Sequence, residues 1–323
     1  MGATIKATLA FVVLAGNITS AGLAAAQNYP TKPIRLIVPL APGGATDIVG
    51  RLLAQKLTEA FKQSVVVDNR PGGGGSIGTE TMVRANADGY TMLAVQGFYA
   101  GNAALYKLPF DPLNDVTPIG LVCEFGFLVT LHPSVPVTTI KELIAYDKTN
   151  PGKLSYGSAG TGSTPHLATE LFNQTAGTRM THVPYKGTGV ALNDLLGGQI
   201  QLVIGSIPAM MAQVKLKRLR GIAVTDPKRS TVVPDIPTVA ETVPGYEVVN
   251  WTAVLGPRAL PKNVVTRWNS EINSTLQLPD VKERMAGLGM EPTGGAPERF
   301  NEVLKREIAK WQRVVKIGNI KAD

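Results

Sequence analysis

Two glycine-rich turns in this chain have the residue types and the setting that bind small anions. The first turn is Pro42-Gly43-Gly44-Ala45-Thr46-Asp47, and the second is Gly157-Ser158-Ala159-Gly160-Thr161-Gly162-Ser163. Each turn follows an apolar, strand-like run and precedes a helix-like run, so its backbone N–H groups can point at a carboxylate. Because the turns lie far apart in the chain, we expect two lobes that each supply half of one anion site. This arrangement favours a binding protein.

Side chains around these turns extend the candidate site. Asp47 either satisfies N–H groups at the start of the helix or contacts a ligand, and the sequence leaves both roles open. The second turn carries a dense group of hydroxyls, on Ser158, Thr161, Ser163 and Thr164. One side chain usually suffices as a helix cap, so some of these hydroxyls should face a ligand. Phe98 follows a predicted strand, where it either lines a pocket or belongs to the core.

The histidines and the cysteine do not form a metal site in the sequence pattern. His132, His166 and His182 are dispersed, and none has the spacing that metal ligands show. His166, in the first turn of a predicted helix, either lines the pocket or hydrogen-bonds the loop, whereas the other two histidines are interpreted as structural. The single Cys123 lies in an apolar run and is expected to be a buried, inert thiol. We therefore expect no metal and no cofactor.

Two further glycine motifs point to rival functions. Residues 73–78 match G-x-G-x-x-G, but Gln96-Gly97 stands where a dinucleotide-binding protein needs an acidic residue. Residues 74–78 also match G-x-S-x-G, the nucleophile motif of α/β hydrolases, with Ser76 as the nucleophile. Because no histidine follows His182, a catalytic triad lacks its base in the usual chain order. A secreted serine hydrolase that uses Ser76 remains the enzymatic alternative.

Alternating strand and helix patterns predict an α/β fold built from parallel βαβ units. Predicted strands include Ile34–Leu40, Val65–Val67, Tyr90–Val95 and Val122–Leu131, and predicted helices include Ile140–Thr149 and Thr164–Thr175. We expect two lobes, each with a mostly parallel sheet flanked by helices. Residues 27–124 plus 250–323 form the first lobe, and residues 125–249 form the second. The two crossover segments, near residues 124–128 and 250–254, should act as a hinge.

The N-terminus predicts export. Lys6 precedes an apolar stretch at residues 7–15, and the segment closes on Ala24-Ala25-Ala26, which is typical of a secretory signal peptide cleaved after Ala26. We therefore expect a periplasmic protein without a lipid anchor. The formal net charge of +8 favours anionic partners. The densest basic run, residues 215–220, is interpreted as a solvated helix end, so nucleic acid is not an expected partner.

The ordered set of motifs along the chain resembles the tripartite tricarboxylate transporter solute-binding proteins, the Bug-type extracytoplasmic receptors. The resemblance rests on segments spread over residues 30–251, among them residues 38–47, residues 67–72 with the glycine run that follows, residues 156–168 and residues 182–187. It implies a monomeric, two-lobed periplasmic binding protein of type II, a Venus flytrap. Such a protein closes on a small carboxylate, passes it to a membrane permease and performs no catalysis. Whether the receptor serves a permease or a two-component sensor stays open.

The resemblance also implies which residues contact the ligand. Members of this family hold a carboxylate through main-chain N–H groups and hydroxyls of two loops, which correspond here to residues 43–46 and 158–164. Many members carry an acidic or amide residue after the strand at residues 202–204, whereas this chain has Gly205-Ser206. The ligand is therefore expected to be a mono- or dicarboxylate, aliphatic or aromatic, without an amine. The expected ligand-binding residues are Pro42, Gly43, Gly44, Ala45, Thr46, Asp47, Phe98, Ser158, Ala159, Thr161, Gly162, Ser163, Thr164, His166, Lys186, Gly187 and Ser206.

Overall fold

Two β-sheets with flanking helices make up the protein in a computed structural model, which describes residues 29–322. The predicted signal peptide lies outside the described residues. Among the described residues, no helix is both long and apolar enough to cross a bilayer. The α/β class predicted from the alternation of patterns is confirmed.

Strands and helices alternate along most of the chain. The strands are β1 (Ile34–Val38), β2 (Val65–Asn69), β3 (Thr91–Gln96), β4 (Val116–Phe125), β5 (Phe127–Leu131), β6 (Ser155–Ser158), β7 (Thr181–Pro184), β8 (Leu202–Ser206), β9 (Arg220–Val224), β10 (Asn250–Pro257) and β11 (Glu291–Pro292). The α-helices are α1 (Ala45–Phe61), α2 (Ser76–Val83), α3 (Phe98–Leu105), α4 (Ile140–Thr149), α5 (Thr164–Ala176), α6 (Thr188–Leu196), α7 (Ile207–Lys215), α8 (Lys262–Thr275), α9 (Pro279–Gly287) and α10 (Pro297–Ile317). Short 3₁₀ turns lie at Gly73–Gly75 and Val239–Glu241.

The first sheet has the strand order β11-β4-β10-β3-β1-β2. The β2-β1-β3 part is parallel, with Ile37 opposite both Asp68 and Leu93. By contrast, β10 runs antiparallel to both of its neighbours, β3 and β4, and β11 runs antiparallel to β4. Because β4 has the same direction as β1, β2 and β3, four of the six strands run one way, as expected of a mostly parallel sheet. The exceptions are β11 and β10, and β10 is reversed because it is the returning strand and enters the sheet in the opposite direction.

The second sheet has the order β7-β6-β8-β5-β9 and is mixed for the same reason. Strands β7, β6 and β8 are parallel to one another. The entering strand β5 runs antiparallel to both β8 and β9. Four of the five strands, β6, β7, β8 and β9, therefore run in the same direction, so this sheet is also mostly parallel. Its strands come only from the segment between β4 and β10, which agrees with the predicted order of lobes, although the lobe boundaries stay a prediction.

The segments that join the two sheets have a defined local structure. Gly126 separates β4 from β5, so the single strand predicted over residues 122–131 is in fact two strands. A Cβ on Gly126 would collide with the Asp226 carboxylate, which packs directly against this glycine. Thr225 joins both crossovers, because its hydroxyl accepts the Phe127 N–H at 2.9 Å and donates to the Val248 carbonyl at 2.8 Å. The two connections therefore meet at one point.

Helix α10 packs against β4 of the first sheet and against helices α3 and α5. Phe300, Leu304, Ile308, Trp311 and Val314 form one buried face with helical spacing. This face belongs to a large apolar cluster that includes residues of both sheets and of α5. The Gln174 side chain on α5 also donates to the Val314 carbonyl at 2.8 Å. A smaller, separate cluster lies beneath α6 and α7 on the other face of the second sheet.

Candidate functional site

A cavity of about 590 Å³ lies between the two glycine-rich turns. Its lining combines helix starts, hydroxyls, amides and phenylalanines, and none of the lining residues carries a charge. They are Leu40, Gly43, Gly44, Ala45, Gly74, Gln96, Phe98, Asn102, Phe125, Phe127, Ala159, Thr161, Ser163, Thr164, Pro165, Thr188, Gly189, Ser206 and Asn250. Any charged group on a ligand must therefore be stabilised here by dipoles and hydrogen bonds.

Five helices begin at this cavity. The lining includes residues at the starts of α1 (Ala45), α3 (Phe98), α5 (Thr164), α6 (Thr188) and α7 (Ser206). A helix N-terminus carries a partial positive charge and N–H groups without an intrahelical partner. Several such ends around one cavity favour a bound anion without the need for a lysine or an arginine.

The first turn, loop 1 (Pro42–Asp47), leaves the start of α1 open. Gly44 is the N-cap residue of α1, and no side chain caps this end. The N–H groups of Ala45 and Thr46 lie in the first turn of the helix, where no intrahelical acceptor exists. Gly43 has a φ of +89°, a conformation that favours glycine. Loop 1 therefore offers main-chain donors rather than side chains to the cavity.

Asp47 fixes loop 1 through hydrogen bonds made away from the cavity. Its Oδ2 accepts the Gly43 N–H at 2.9 Å and the Arg51 Nε–H at 2.9 Å, and its Oδ1 accepts from Asn69 Nδ2 at 2.9 Å. Burial alone would raise the pKa of this carboxyl, but the hydrogen bonds from Arg51, Gly43 and Asn69 outweigh burial and hold the pKa below its ordinary value. The carboxylate is committed to these partners and does not line the cavity.

The second turn continues into the start of α5, and residues 158–164 are called loop 2. Hydrogen bonds from side chains of this loop fix its shape. The Ser163 hydroxyl donates to the Gly160 carbonyl at 2.6 Å and also accepts the His166 N–H at 3.5 Å as the N-cap of α5. The Ser158 hydroxyl is fully buried and accepts the Gly160 N–H at 3.1 Å. Pro165 has no N–H, so the start of α5 offers fewer main-chain donors than the start of α1. Loop 2 presents mainly hydroxyls to the cavity.

The three histidines each have defined hydrogen-bond contacts, and two of them lie behind loop 2. His166 is buried, and its Nδ1 accepts the Gly162 N–H at 3.0 Å, which fits the loop-bonding role left open by the sequence. His182 Nε2 lies 2.7 Å from the Ser158 hydroxyl. The His132 Nδ1 lies 2.7 Å from the Ser134 hydroxyl, in a different part of the second sheet. Neither His166 nor His182 lines the cavity.

Phenylalanines and amides complete the wall. The Phe125 and Phe127 rings flank Gly126 with centroids 6.0 Å apart, and Phe98 also lines the cavity, as one of its two predicted roles required. The Asn250 Oδ1 accepts the Gly97 N–H at 3.1 Å. The Asn102 amide donates to the Gly74 carbonyl at 2.7 Å. An apolar ligand body would therefore be held against aromatic rings.

Nine of the residues expected to bind ligand line the cavity, and the others lie nearby or behind it. The lining members are Gly43, Gly44, Ala45, Phe98, Ala159, Thr161, Ser163, Thr164 and Ser206. The remaining eight do not line it, namely Pro42, Thr46, Asp47, Ser158, Gly162, His166, Lys186 and Gly187. Among these, Thr46 is buried, and within the described chain its hydroxyl has no hydrogen-bond partner. Direct contact of any of these residues with a ligand stays a prediction.

Several residues that line the cavity were not indicated by any sequence motif. Gln96, Asn102, Phe125, Phe127 and Asn250 come from strand ends and from a helix that no motif marked. The polar residues at the ends of predicted strands were the available signal, because strand ends of α/β sheets gather at one edge. The helix α3 was missed because it is short and follows a strand with only one glycine between them.

The geometry gives Ser76 no catalytic partner. Ser76 is the first residue of α2, and within residues 29–322 its hydroxyl makes no hydrogen bond to a histidine. The Ser158–His182 pair does have hydrogen-bond geometry, but the Ser158 side chain is fully buried and cannot reach a substrate. Among the described residues, no group of three or more His, Cys, Asp or Glu side chains could hold a metal ion.

Comparison with known proteins gives one consistent result. A family model described as "Tripartite tricarboxylate transporter family receptor" matches residues 49–320. Protein BugT of Bordetella pertussis is 35% identical over 306 residues, which cover 93% of this chain and 94% of that protein. A solved R. palustris structure with adipate is 37% identical, has a TM-score of 0.81, and is matched over 91% of this chain and 99% of its own. MatC from Rhodopseudomonas palustris with bound malate is 29% identical, with a TM-score of 0.78 over 89% of this chain and 100% of its own.

Proposed function

Because the chain belongs to the tripartite tricarboxylate transporter receptor family, we propose that it captures a small carboxylate in the periplasm and delivers it to the membrane permease of such a transporter. Members of this family are periplasmic solute-binding receptors. The protein acts as a monomer after cleavage behind Ala26, and it performs no catalysis on its ligand. The single observation that carries the proposal is an uncharged cavity surrounded by helix N-termini.

A carboxylate fits this cavity on electrostatic grounds. The first-turn N–H group of Ala45 in loop 1 and the hydroxyls of Thr161 and Thr164 in loop 2 are donors on two sides of the same space. Hydrogen bonds from such donors to a charged acceptor contribute about 1.5–3 kcal/mol each. Because no charged residue lines this cavity, these neutral donors and the helix dipoles supply the stabilisation.

The ligand is a mono- or dicarboxylate with an aliphatic or aromatic body and no amine. The phenylalanine side chains of Phe98, Phe125 and Phe127 provide apolar surface for such a body. An ammonium group would have no carboxylate partner in the lining, since Asp47 is committed to Arg51 and Ser206 is neutral. Two solved relatives hold adipate and malate, which are both dicarboxylates without an amine.

The ligand is enclosed by movement of two lobes. Residues 27–124 with 250–323 form one lobe, and residues 125–249 form the other. The crossovers meet at Gly126 and Thr225, where a change of a few backbone angles could rotate one sheet relative to the other. Ligand shifts this equilibrium toward the closed state only by its differential affinity for that state.

A calorimetric comparison of matched ligands tests the proposal. Adipate, hexanoate and 6-aminohexanoate have the same carbon chain and differ only at one end, while malate and benzoate vary the body. A ligand present at a concentration of 100 times its dissociation constant should raise the free energy of unfolding by about 2.7 kcal/mol. We expect at least one carboxylate to bind and 6-aminohexanoate to bind more weakly than adipate and hexanoate. Tight binding of a cationic ligand with the carboxylates inert would refute the proposal.

A further inference from the structure

Three aromatic rings stack directly behind loop 2. Tyr156 of β6 and His182 of β7 have ring centroids 5.0 Å apart, and His182 and His166 of α5 have centroids 3.9 Å apart. The two imidazole planes are nearly parallel, with an interplanar angle of 13°. The Tyr156 hydroxyl is bonded to Glu170 at 2.5 Å, which fixes the far end of the stack. The stack is thus anchored to the second sheet and to α5.

His166, at the opposite end of the stack from Tyr156, bonds the backbone of loop 2. His166 Nδ1 accepts the Gly162 N–H at 3.0 Å, so Nδ1 carries no hydrogen and the ring N–H is on Nε2. His166 is buried, and Gly162 stands between Thr161 and Ser163, two residues that line the cavity. This bond therefore sets the direction of the peptide groups on either side of Gly162.

The second histidine acts on loop 2 through a serine. His182 Nε2 lies 2.7 Å from the buried Ser158 hydroxyl, and that hydroxyl accepts the Gly160 N–H at 3.1 Å. The Gly160 carbonyl in turn accepts the Ser163 hydroxyl at 2.6 Å. The two histidines therefore control both glycines of the loop, on either side of Thr161. Stacking between the rings keeps the two contacts in a fixed relation.

We propose that His166 and His182 are positioning residues that hold loop 2 in its ligand-binding shape without touching the ligand. The proposal rests on the proposed function, because it assigns these histidines to the same carboxylate site. His166 orients the Gly162 peptide, and His182 orients the Gly160 peptide through Ser158. The two rings shape the hydroxyl side of the site through these hydrogen bonds.

Substitutions that separate stacking from hydrogen bonding test this role. His166→Phe and His182→Phe keep a flat ring but remove the nitrogens. His166→Asn places an amide oxygen near the position of Nδ1, and His182→Gln places an amide group near the position of Nε2. His132→Phe is the matched control, since His132 bonds Ser134 outside loop 2. All variants are first checked for folding by circular dichroism.

Affinity is measured by calorimetry with the tightest-binding member of the panel adipate, malate and benzoate. We expect each Phe variant to lose about tenfold in affinity, the effect of one hydrogen bond, and the Asn and Gln variants to stay within about threefold of wild type. His132→Phe should bind as wild type does. Equal affinities for the Phe variants and wild type would overturn the proposal, and so would equal losses in the Phe, Asn and Gln variants.

Hydrogen exchange of the peptide that spans residues 158–164 provides a readout without ligand. The Phe variants should exchange faster there, and the Asn and Gln variants should restore protection. If no carboxylate binds the wild-type protein, the proposed function fails, while this exchange result still decides whether the histidines order loop 2. Unchanged exchange in both Phe variants would remove the positioning role.

Discussion

Loop 1 and loop 2 occupy equivalent places at the ends of β1 and β6, yet they are held by opposite means. Loop 1 is fixed by a charged aspartate with three hydrogen-bonding partners, and it leaves the start of α1 uncapped. Loop 2 is fixed by hydrogen bonds with histidine and serine side chains, and its own Ser163 caps α5. The difference indicates that loop 1 supplies main-chain donors and loop 2 supplies hydroxyls. The following substitutions test this division of roles.

Loss of the Asp47 charge should produce the largest effect. In Asp47→Asn the side chain can no longer accept bonds at both oxygens from Gly43, Arg51 and Asn69, and we expect the free energy of unfolding to fall by about 2–4 kcal/mol near pH 7. Urea denaturation at several pH values measures the loss.

The pH dependence of that loss follows from the lowered pKa of Asp47. A carboxyl with a folded pKa below its unfolded value contributes stability above the unfolded pKa, which is near 4, and this contribution disappears as the pH falls through the folded pKa. The difference between wild type and Asp47→Asn should therefore be constant from pH 5 to 8 and shrink in stronger acid. A difference that instead grew toward low pH would show that the charge of Asp47 does not hold loop 1.

Removal of one main-chain donor from loop 1 should weaken binding without loss of stability. Ala45→Pro deletes the N–H at the first position of α1, where proline is readily accepted, and the extended conformation of Gly44 suits a following proline. We expect carboxylate affinity to fall by about 1.5–3 kcal/mol, measured by calorimetry. Lys262→Pro is the matched control, because it makes the same change at the first position of α8. Unaltered binding by Ala45→Pro would exclude this N–H as a ligand contact.

Removal of a hydroxyl from loop 2 should affect both binding and stability. Ser163→Ala removes the cap of α5 and the bond to Gly160, so the free energy of unfolding and the binding free energy should each fall by about 1 kcal/mol. Ser76→Ala serves as the control, since Ser76 does not line the cavity and should leave both quantities unchanged. If Ser163→Ala affected binding alone, loop 2 would not depend on its own cap, and the contrast with loop 1 would fail.

The smallest expected signal is a change of shape. If the two loops lie on lobes that close around the ligand, the radius of gyration from small-angle scattering should decrease slightly when a verified carboxylate is added. Helix α10, which packs against β4 of the first sheet and against α5, should limit the extent of this movement. A scattering profile that is unchanged at saturating ligand would indicate a preformed cavity between loops that do not move.

Local signals made much of the fold predictable from sequence. Helix α4 has the predicted bounds, Ile140–Thr149, because Thr139 caps it and its apolar residues have helical spacing. The reversed direction of β10 was not predictable, since whether it lies parallel or antiparallel to β3 depends on how the chain returns over a long distance. The break at Gly126 was also hidden, because the apolar run continues on both sides of it.

The site was predictable only in part for a similar reason. Glycine turns before helices mark loops 1 and 2, and these loops do line the cavity. By contrast, Asn102 and Asn250 reach the cavity through tertiary contacts with Gly74 and Gly97 that no local pattern encodes. The role of Asp47 stayed open in the sequence because the partners that hold it include Asn69, which is distant along the chain.

The position of β10 also has a consequence for how the chain folds. β10 lies between β3 and β4, so these two strands, which are close in sequence, meet only through a strand made much later. Until residues 250–257 are available, β3 and β4 each expose an unpaired edge, and the long separation of the paired segments slows their assembly. A nascent chain therefore cannot complete its first sheet, and it exposes strand edges that favour aggregation until its last quarter has emerged.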